Sequence, residues 1–514
     1  MFFFLFLHSC INLCNFFLNL GIDGGVYLLI YERNDSLSIA SEISRINQNI
    51  AAAYTACSEK GATLPIEQNS DHLADTIDSI VLGGSIRLSD VNFFDSDGSL
   101  LHSYTFAEVL ELTALPALPQ REGLVAQEWN YTLSQIHSAA REGCTVDVGC
   151  TYKTDDNCTR LCFFIAKGTR IPTLRLRLRL DPNTSVTVDW GDGTDTVLSN
   201  TGSSQVSTYA EKTDYTDAEE DTTICVRLIG GKFALGRESG GNMFEFMCFV
   251  ISEFHAGSNC VGILSRAFEN CVRLTDVTLS ASVTMIGSSA FKHCDNLKSL
   301  VIPSNIDSVS ASLFAECYEM ERVSIPASVT TIGENTFLNC YDLHRISIPI
   351  HVERIKDNAF KGCRSLSNIV IPSDVTSIGS SAFGDCHGLN RVVIPPSAAR
   401  PYGRAFENCF GLQEVIFSPG LTYISTEECH NCWVLTHVTI PSSVLRIKDG
   451  AFNYCNSLYL VDLSAFTDPS AIPTLDNSNA FPSAVVEFKV ADQAMLGAFS
   501  AASNWSTYAN KFTV

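Results

Sequence analysis

The chain has 514 residues, room for several domains, and its 46% apolar and 18% charged composition is ordinary for folded protein. Its formal net charge of −22 repels polyanions and anionic bilayers, which excludes DNA, RNA and lipid headgroups as main partners. After the N-terminal segment no apolar run approaches about 20 residues, so membrane insertion by a spanning helix is not expected.

Residues 1–35 begin with the apolar Met1–Leu7 and contain no lysine or arginine before Arg33. The segment is signal-like but lacks a positive n-region; a mis-assigned start, with the protein opening near Ser36, explains it equally. Residues 36–83 predict a helical module. Ile39, Ile43, Ile46, Ile50, Ala53 and Cys57 follow in steps of four and three, an a/d seam that ends at Gly61. The seam packs on Leu73, Ile77 and Ile80 of a second helix; the alternative is a homotrimer through residues 39–57, since isoleucine at both seam positions favours trimers over dimers. The stretch from Ser38 to Ile80 resembles helical modules at the start of phage and prophage tail-associated proteins of gut bacteria.

Residues 84–165 predict a small α+β linker domain. Ile86–Leu88, Val91–Phe94 and Leu101–Tyr104 read as strands with a hairpin turn at Asp97-Gly98, and Phe106–Leu112 and Leu133–Arg141 read as helices. This domain resembles linker modules that precede leucine-rich repeats in gut bacterial proteins, and no activity attaches to that resemblance. Cys144, Cys150, Cys158 and Cys162 crowd into 19 residues. Only Cys158 and Cys162 have zinc-type spacing, so metal, disulfide and free-thiol readings all stand.

Residues 170–232 predict a β-sandwich. Leu174 to Leu180 alternates leucine with arginine, the pattern of a half-buried strand. Ser185–Trp190 then turns at Gly191-Asp192-Gly193 into Thr196–Leu198. The Trp-Gly-Asp-Gly hairpin resembles that of PKD-like domains, which implies a spacer role in an extracellular protein. Asp189, Asp192 and Asp195 are calcium candidates, because hard cations take carboxylate oxygens; the tight turn explains the same residues.

From Cys271 to Cys455 nine cysteines recur every 23 residues. Phenylalanine keeps the same beat three residues earlier from Phe268 to Phe452, with Cys429 the exception, and leucine follows three residues later with Met320 the exception. A β-branched run ending in Ile-Pro comes next. This period with L-x-x-[VI]-x-[IL] is a leucine-rich solenoid signature, and units that cannot bury their own apolar face must stack. Residues 245–465 resemble the 23-residue BspA-like (Treponema-type) leucine-rich repeats of bacterial, phage and protist surface proteins. Departures fall at Ala398–Arg404 and Glu427–Asn431. Residues 466–514 resemble the tail that follows such repeats, a strand at Val485–Val490 and a short Trp505 helix capping the last coil. The expected fold class is therefore mostly β with α: a solenoid preceded by a PKD-like sandwich, an α+β domain and a helical module.

Equivalent positions in a solenoid form columns, and two columns stand out as ligand-binding candidates. Directly after the cysteines come Tyr318, Tyr341, Arg364, His387, Phe410 and Trp433, flat groups suited to sugar rings or a partner's apolar surface, unless they pack on one another. On the strand face Arg322, Arg345 and Arg391 make a positive strip suited to an anionic glycan, unless Glu319, Glu321 and Asp342 neutralise it. No nucleophile elbow, metalloprotease helix, P-loop or dinucleotide fingerprint occurs, so neither catalysis nor a cofactor is expected. The reading is an extracellular or cell-surface adhesion protein engaging a host, matrix or bacterial surface protein or glycan. The alternative is a trimeric receptor-binding protein of a phage tail.

Overall fold

The computed structural model describes residues 14–20, 26–32, 90–167, 171–215, 220–236, 249–398 and 403–514. The chain divides into two units, Met1–Ser89 and Asp90–Val514. In the first, the backbone of Cys14–Leu20 pairs antiparallel with that of Val26–Glu32. The helical module at 36–83, its seam at 39–57 and the strand at 86–88 lie outside the described residues.

The second unit opens with an α+β module. Strands Leu100–Tyr104, Val91–Phe94, Val146–Thr154 and Leu124–Trp129 form one sheet in that order. Helices Phe106–Leu110 and Leu133–Arg141 start at capping boxes, Thr105 with Glu108 and Thr132 with Gln135, in which each partner satisfies the other's free backbone amide. The second helix buries Ile136, Ala139 and Ala140.

The expected boundary at residue 165 requires correction. Thr159–Ile165 leaves the linker domain and pairs with Thr222–Gly230 of the sandwich. Directly opposed on those strands, Cys162 and Cys225 form a disulfide, so Cys162 finds its partner outside the four-cysteine cluster. Cys144, Cys150 and Cys158 are buried free thiols. In the leucine–arginine strand Leu174, Leu176, Leu178 and Leu180 are buried, while Arg175 lies outside on Glu211 and Tyr209. Trp190 is buried in the core, its indole N–H donating to Thr196 Oγ1 at 2.9 Å.

Nor is the sandwich a separate spacer. Ile251–His255 pairs antiparallel with Thr159–Ile165 and parallel with Asp276–Thr278 of the first regular coil. Phe233–Leu235 likewise joins Ile171–Leu180 to Cys260–Ile263. Both sheets therefore run on into the solenoid, and one apolar core extends from Leu161 to Phe512. A stack of coils ends in an open row of peptide groups and apolar surface, which needs such a cover.

Most coils carry two short strands and a turn, although the strand face has no strand over 344–348 and only an isolated bridge at Asn368. The strand face repeats as Ser299–Val301 with Arg322–Ser324, and Arg391–Ile394 with Glu414–Phe417. The second strand steps by one repeat from Ser308 through Thr331 and Arg354 to Ser377. The third side is hydrogen-bonded from coil to coil as well, which its non-strand sequence did not announce. There the residue before each cysteine (Asn270 to Tyr454) and the residue two before each phenylalanine position (Arg266 to Gly450) have positive φ. These left-handed turns aim alternate amides along the stack: Asn335, Phe337 and Asn339 donate to Asp357, Ala359 and Lys361 at 2.8–3.0 Å. Asparagine, aspartate, serine and glycine fill most of these places because they tolerate that conformation.

Inside the turns the phenylalanines stack at 5.2–6.0 Å from Phe268 to Phe406. From Cys294 to Cys432 each cysteine thiol donates to the phenylalanine carbonyl of the preceding coil, as Cys386 does to Phe360 at 3.2 Å, and Cys455 donates to the Cys429 carbonyl instead. The irregularity at Glu427–Asn431 is compensated rather than random. Cys429 interrupts the stack, and Phe417, standing where other coils have isoleucine, packs edge-on against Phe452 at 6.0 Å. At the far end Glu487–Lys489 and Phe512–Thr513 extend the strand face. Helix Gln493–Ala501 and the turn at Trp505–Lys511 bring buried Phe499, Trp505 and Tyr508 over the last coil.

The thiol column makes a pH prediction. Burial pushes the Cys260 and Cys150 thiols up to about 12 and Cys144 up to about 11, and raises Cys294, Cys340, Cys363 and Cys409 far above the ordinary range. Between the unfolded thiol value, about 8.5, and these folded values only the unfolded chain releases protons. Stability is therefore expected to hold below about pH 8.5 and to fall steadily above it. Urea midpoints measured at one-unit pH steps under reducing conditions check this; a flat profile to pH 11 would refute it.

Candidate functional site

The 23-residue register places the six groups after the cysteines in one column along the turn edge. Tyr318 stacks on Tyr341 at 5.1 Å, and the Arg364 guanidinium lies over the Tyr341 ring at 4.5 Å. His387 stacks on Phe410, and Phe410 on Trp433, both at 4.5 Å. Burial, assisted by the Arg364 charge, lowers the His387 pKa, so its ring is neutral at physiological pH. The rings are in register as anticipated, but most ring faces are already occupied by neighbouring rungs. Trp433 is the exception, half exposed at the end of the stack.

The arginine strip does not survive as a free surface. The α+β module lies across the strand face over successive coils. Arg322 donates to Gly98 O at 2.6 Å and sits over the Phe94 ring at 3.9 Å. Arg345 Nε lies 3.9 Å from the buried carboxylate of Asp147, which also accepts from Ser347 Oγ at 2.9 Å. Asn130 donates to Ile302 O and to Ser324 Oγ, and Tyr131 donates to Ile325 O. Arg121 pairs with Asp276 at 2.9 Å, and Ala327 and Ile350 of the solenoid join the module's own core. Arg322 and Arg345 are thus consumed within the chain, because a buried guanidinium needs fixed acceptors and the module supplies them. Only Arg391 remains outside, paired with Glu414 at 2.6 Å.

Beyond the module the same face is open. The position that is buried under the module as Thr278, Val301, Ser324 and Ser347 continues as Val370, Val393, Ile416, Thr439 and Asp462, all partly or largely exposed. Arg391 and His437 flank this column, and Lys489 continues it. The period did not reveal Tyr454 and Tyr459: most other coils place a polar residue at each position, and both are half exposed.

The aspartates of the sandwich hairpin serve the turn. Asp189 accepts from the Gly191 amide at 3.0 Å and faces Arg227 at 3.8 Å. Asp192 pairs with Lys212 at 2.7 Å, and the hydrogen bond from Lys212, joined by Thr194, lowers its carboxyl pKa to about 2. Asp195 is exposed beside them. Among the described residues no group of three or more histidine, cysteine or carboxylate side chains could hold a metal ion, so the calcium candidate is not assembled.

Two parallel ribbons, an inner phenylalanine stack and a period of 23 residues define a leucine-rich-repeat solenoid. Residues 240–358 and 330–459 match the family profile described as the BspA type leucine rich repeat region. No curated protein matches the chain. Among solved structures, a leucine-rich repeat protein from Bacteroides ovatus is similar at 22% identity and a TM-score of 0.42, over 51% of this chain and 67% of that one. A leucine rich cell surface protein from Faecalibacterium prausnitzii gives 24% identity and a TM-score of 0.29, over 53% and 94%. The pneumococcal vaccine antigen PcpA gives 16% and 0.27, over 50% and 70%.

Proposed function

We propose that this is a non-enzymatic, extracellular or cell-surface adhesion protein that binds through the uncovered coils of its solenoid, from Asn368 to Lys489. One observation carries the reading: the strand face already binds a folded module over its first half and presents the same face, with Val370, Val393 and Ile416 uncovered, over the coils that follow. Exposed apolar residues aligned on a rigid ribbon and rimmed by charge are the usual makings of a protein contact. The Cys162–Cys225 disulfide supports an oxidising compartment. No described helix is long and apolar enough to cross a membrane. The sandwich, PKD-like in its Trp-Gly-Asp-Gly hairpin, acts here as the solenoid's N-terminal cap. Aspartate at both Val393 and Ile416 is expected to weaken binding to cultured epithelial cells or intact bacteria at least about tenfold, the loss of roughly 1.4 kcal/mol. Flow cytometry with labelled protein reads the loss, and an unchanged melting curve shows that the fold is kept. Equal binding by both proteins would remove the ribbon from consideration.

A further inference from the structure

We infer that the turn edge of the last regular coils is a binding site for a neutral glycan, separate from the strand face and independent of its role. In the column after the cysteines each ring below Trp433 is covered by the next rung, but the rung above Trp433 is Asn456, too small to cover an indole. Trp433 is accordingly 51% exposed, and its N–H is held by Asn431 Oδ1 two residues earlier. Tyr454 occupies the position before the next cysteine with φ 60°, a conformation that bulky residues rarely adopt, yet its ring is 55% exposed. His430 holds that ring edge-on at 5.1 Å. On the other side Tyr459 is 51% exposed, and its carbonyl binds the last coil at the Val486 amide.

Register places these three aromatic residues around Asn456 and Ser457. Both are exposed, and neither side chain has a hydrogen-bonding partner among the described residues. An aromatic rim around a free amide and a free hydroxyl matches the two chemistries of a pyranose: an apolar C–H face and hydroxyls that both donate and accept. The chain's −22 charge disfavours uronates and sialic acids. The small, polar floor sets it apart from a protein contact, whose centre is desolvated and apolar.

The chain carries its own reporter. Of its four tryptophans only Trp433 is exposed; Trp129, Trp190 and Trp505 are at most 6% exposed. Acrylamide quenching of the full chain therefore reads Trp433, and Trp433→Phe should abolish the quenchable signal. With about 10 mM chitotetraose, cellotetraose or mannotetraose, at least one sugar is expected to cut quenching about threefold, in keeping with millimolar affinity. Asn456→Ala should raise the half-effect concentration about fivefold and the Tyr454→Ala/Tyr459→Ala pair about tenfold, with melting curves unchanged. Val393→Asp/Ile416→Asp should leave protection intact, which separates this site from the strand face. The inference is overturned if no neutral oligosaccharide protects Trp433, if only sialyllactose does, or if protection persists unchanged in the Asn456 and tyrosine variants. Loss of cell binding in Trp433→Ala without sugar protection would assign the patch to a protein partner and also overturn it.

Discussion

Gly149→Val is expected to lift the α+β module off the solenoid while leaving the coils folded. A Cβ at Gly149 would meet the two methyl carbons of Val301 at 2.5 and 2.6 Å and Ser324 Cβ at 3.0 Å. The strand cannot retreat, because the Gly149 amide donates to Asn130 Oδ1 at 2.8 Å and its carbonyl accepts the Asn130 amide at 2.9 Å. Asn130 is itself bound to the solenoid through its Nδ2. Overpacking of this kind costs about 3 kcal/mol, enough to empty a docking contact inside one chain. Arg322 and Arg345 should then react with phenylglyoxal, read residue by residue by mass spectrometry, while the melting temperature of the solenoid stays put. Unchanged arginine reactivity would show that the module does not depend on this contact. If the exposed half of the ribbon is the adhesive surface, release of the module should extend it, and cell binding should rise rather than fall.

Phe360→Ala is expected to divide the solenoid energetically. Phe360 is fully buried and stacks on Phe337 and on Phe383, both at 5.2 Å. Truncation leaves a ring-sized cavity that the backbone ladders at Arg354–Ile355 and along the turn cannot close, at a cost of about 4 kcal/mol. Stability in a repeat array is a sum of unit and neighbour terms, so a weakened neighbour term uncouples the coils on either side. Urea unfolding of the full chain should change from one transition to two, the first involving one flank of coil 360. A single transition at the wild-type midpoint would refute the stacking role. The natural interruption at Cys429 shows what rescue requires, since Phe417 supplies the missing ring from the strand side.

The solenoid was legible because its pattern states one environment nine times. Phenylalanine, cysteine, leucine and the β-branched run each recur at 23 residues, and a buried column follows from any of them. The alternation Leu174 to Leu180 and the Trp190 hairpin were legible for the same local reason, as was the cap around Trp505. The left-handed turn columns were present as asparagine and serine, but those residues are ordinary on any surface, so their common backbone state was not.

Contacts made once were decided only by the tertiary structure. Cys162 pairs with a cysteine 63 residues away, and Asn130 reaches carbonyl and hydroxyl groups 172 and 194 residues away. No periodicity announces such a meeting, because its energy comes from complementarity between two surfaces that differ in sequence and occur a single time. The strand face illustrates the division. Its columns, including Arg322, Arg345 and Arg391, follow from the repeat; which rungs face water and which face Asp147 follows from where the module lies. Chain periodicity thus determined what kind of surface this protein builds, and docking decided how much of it remains to meet a partner.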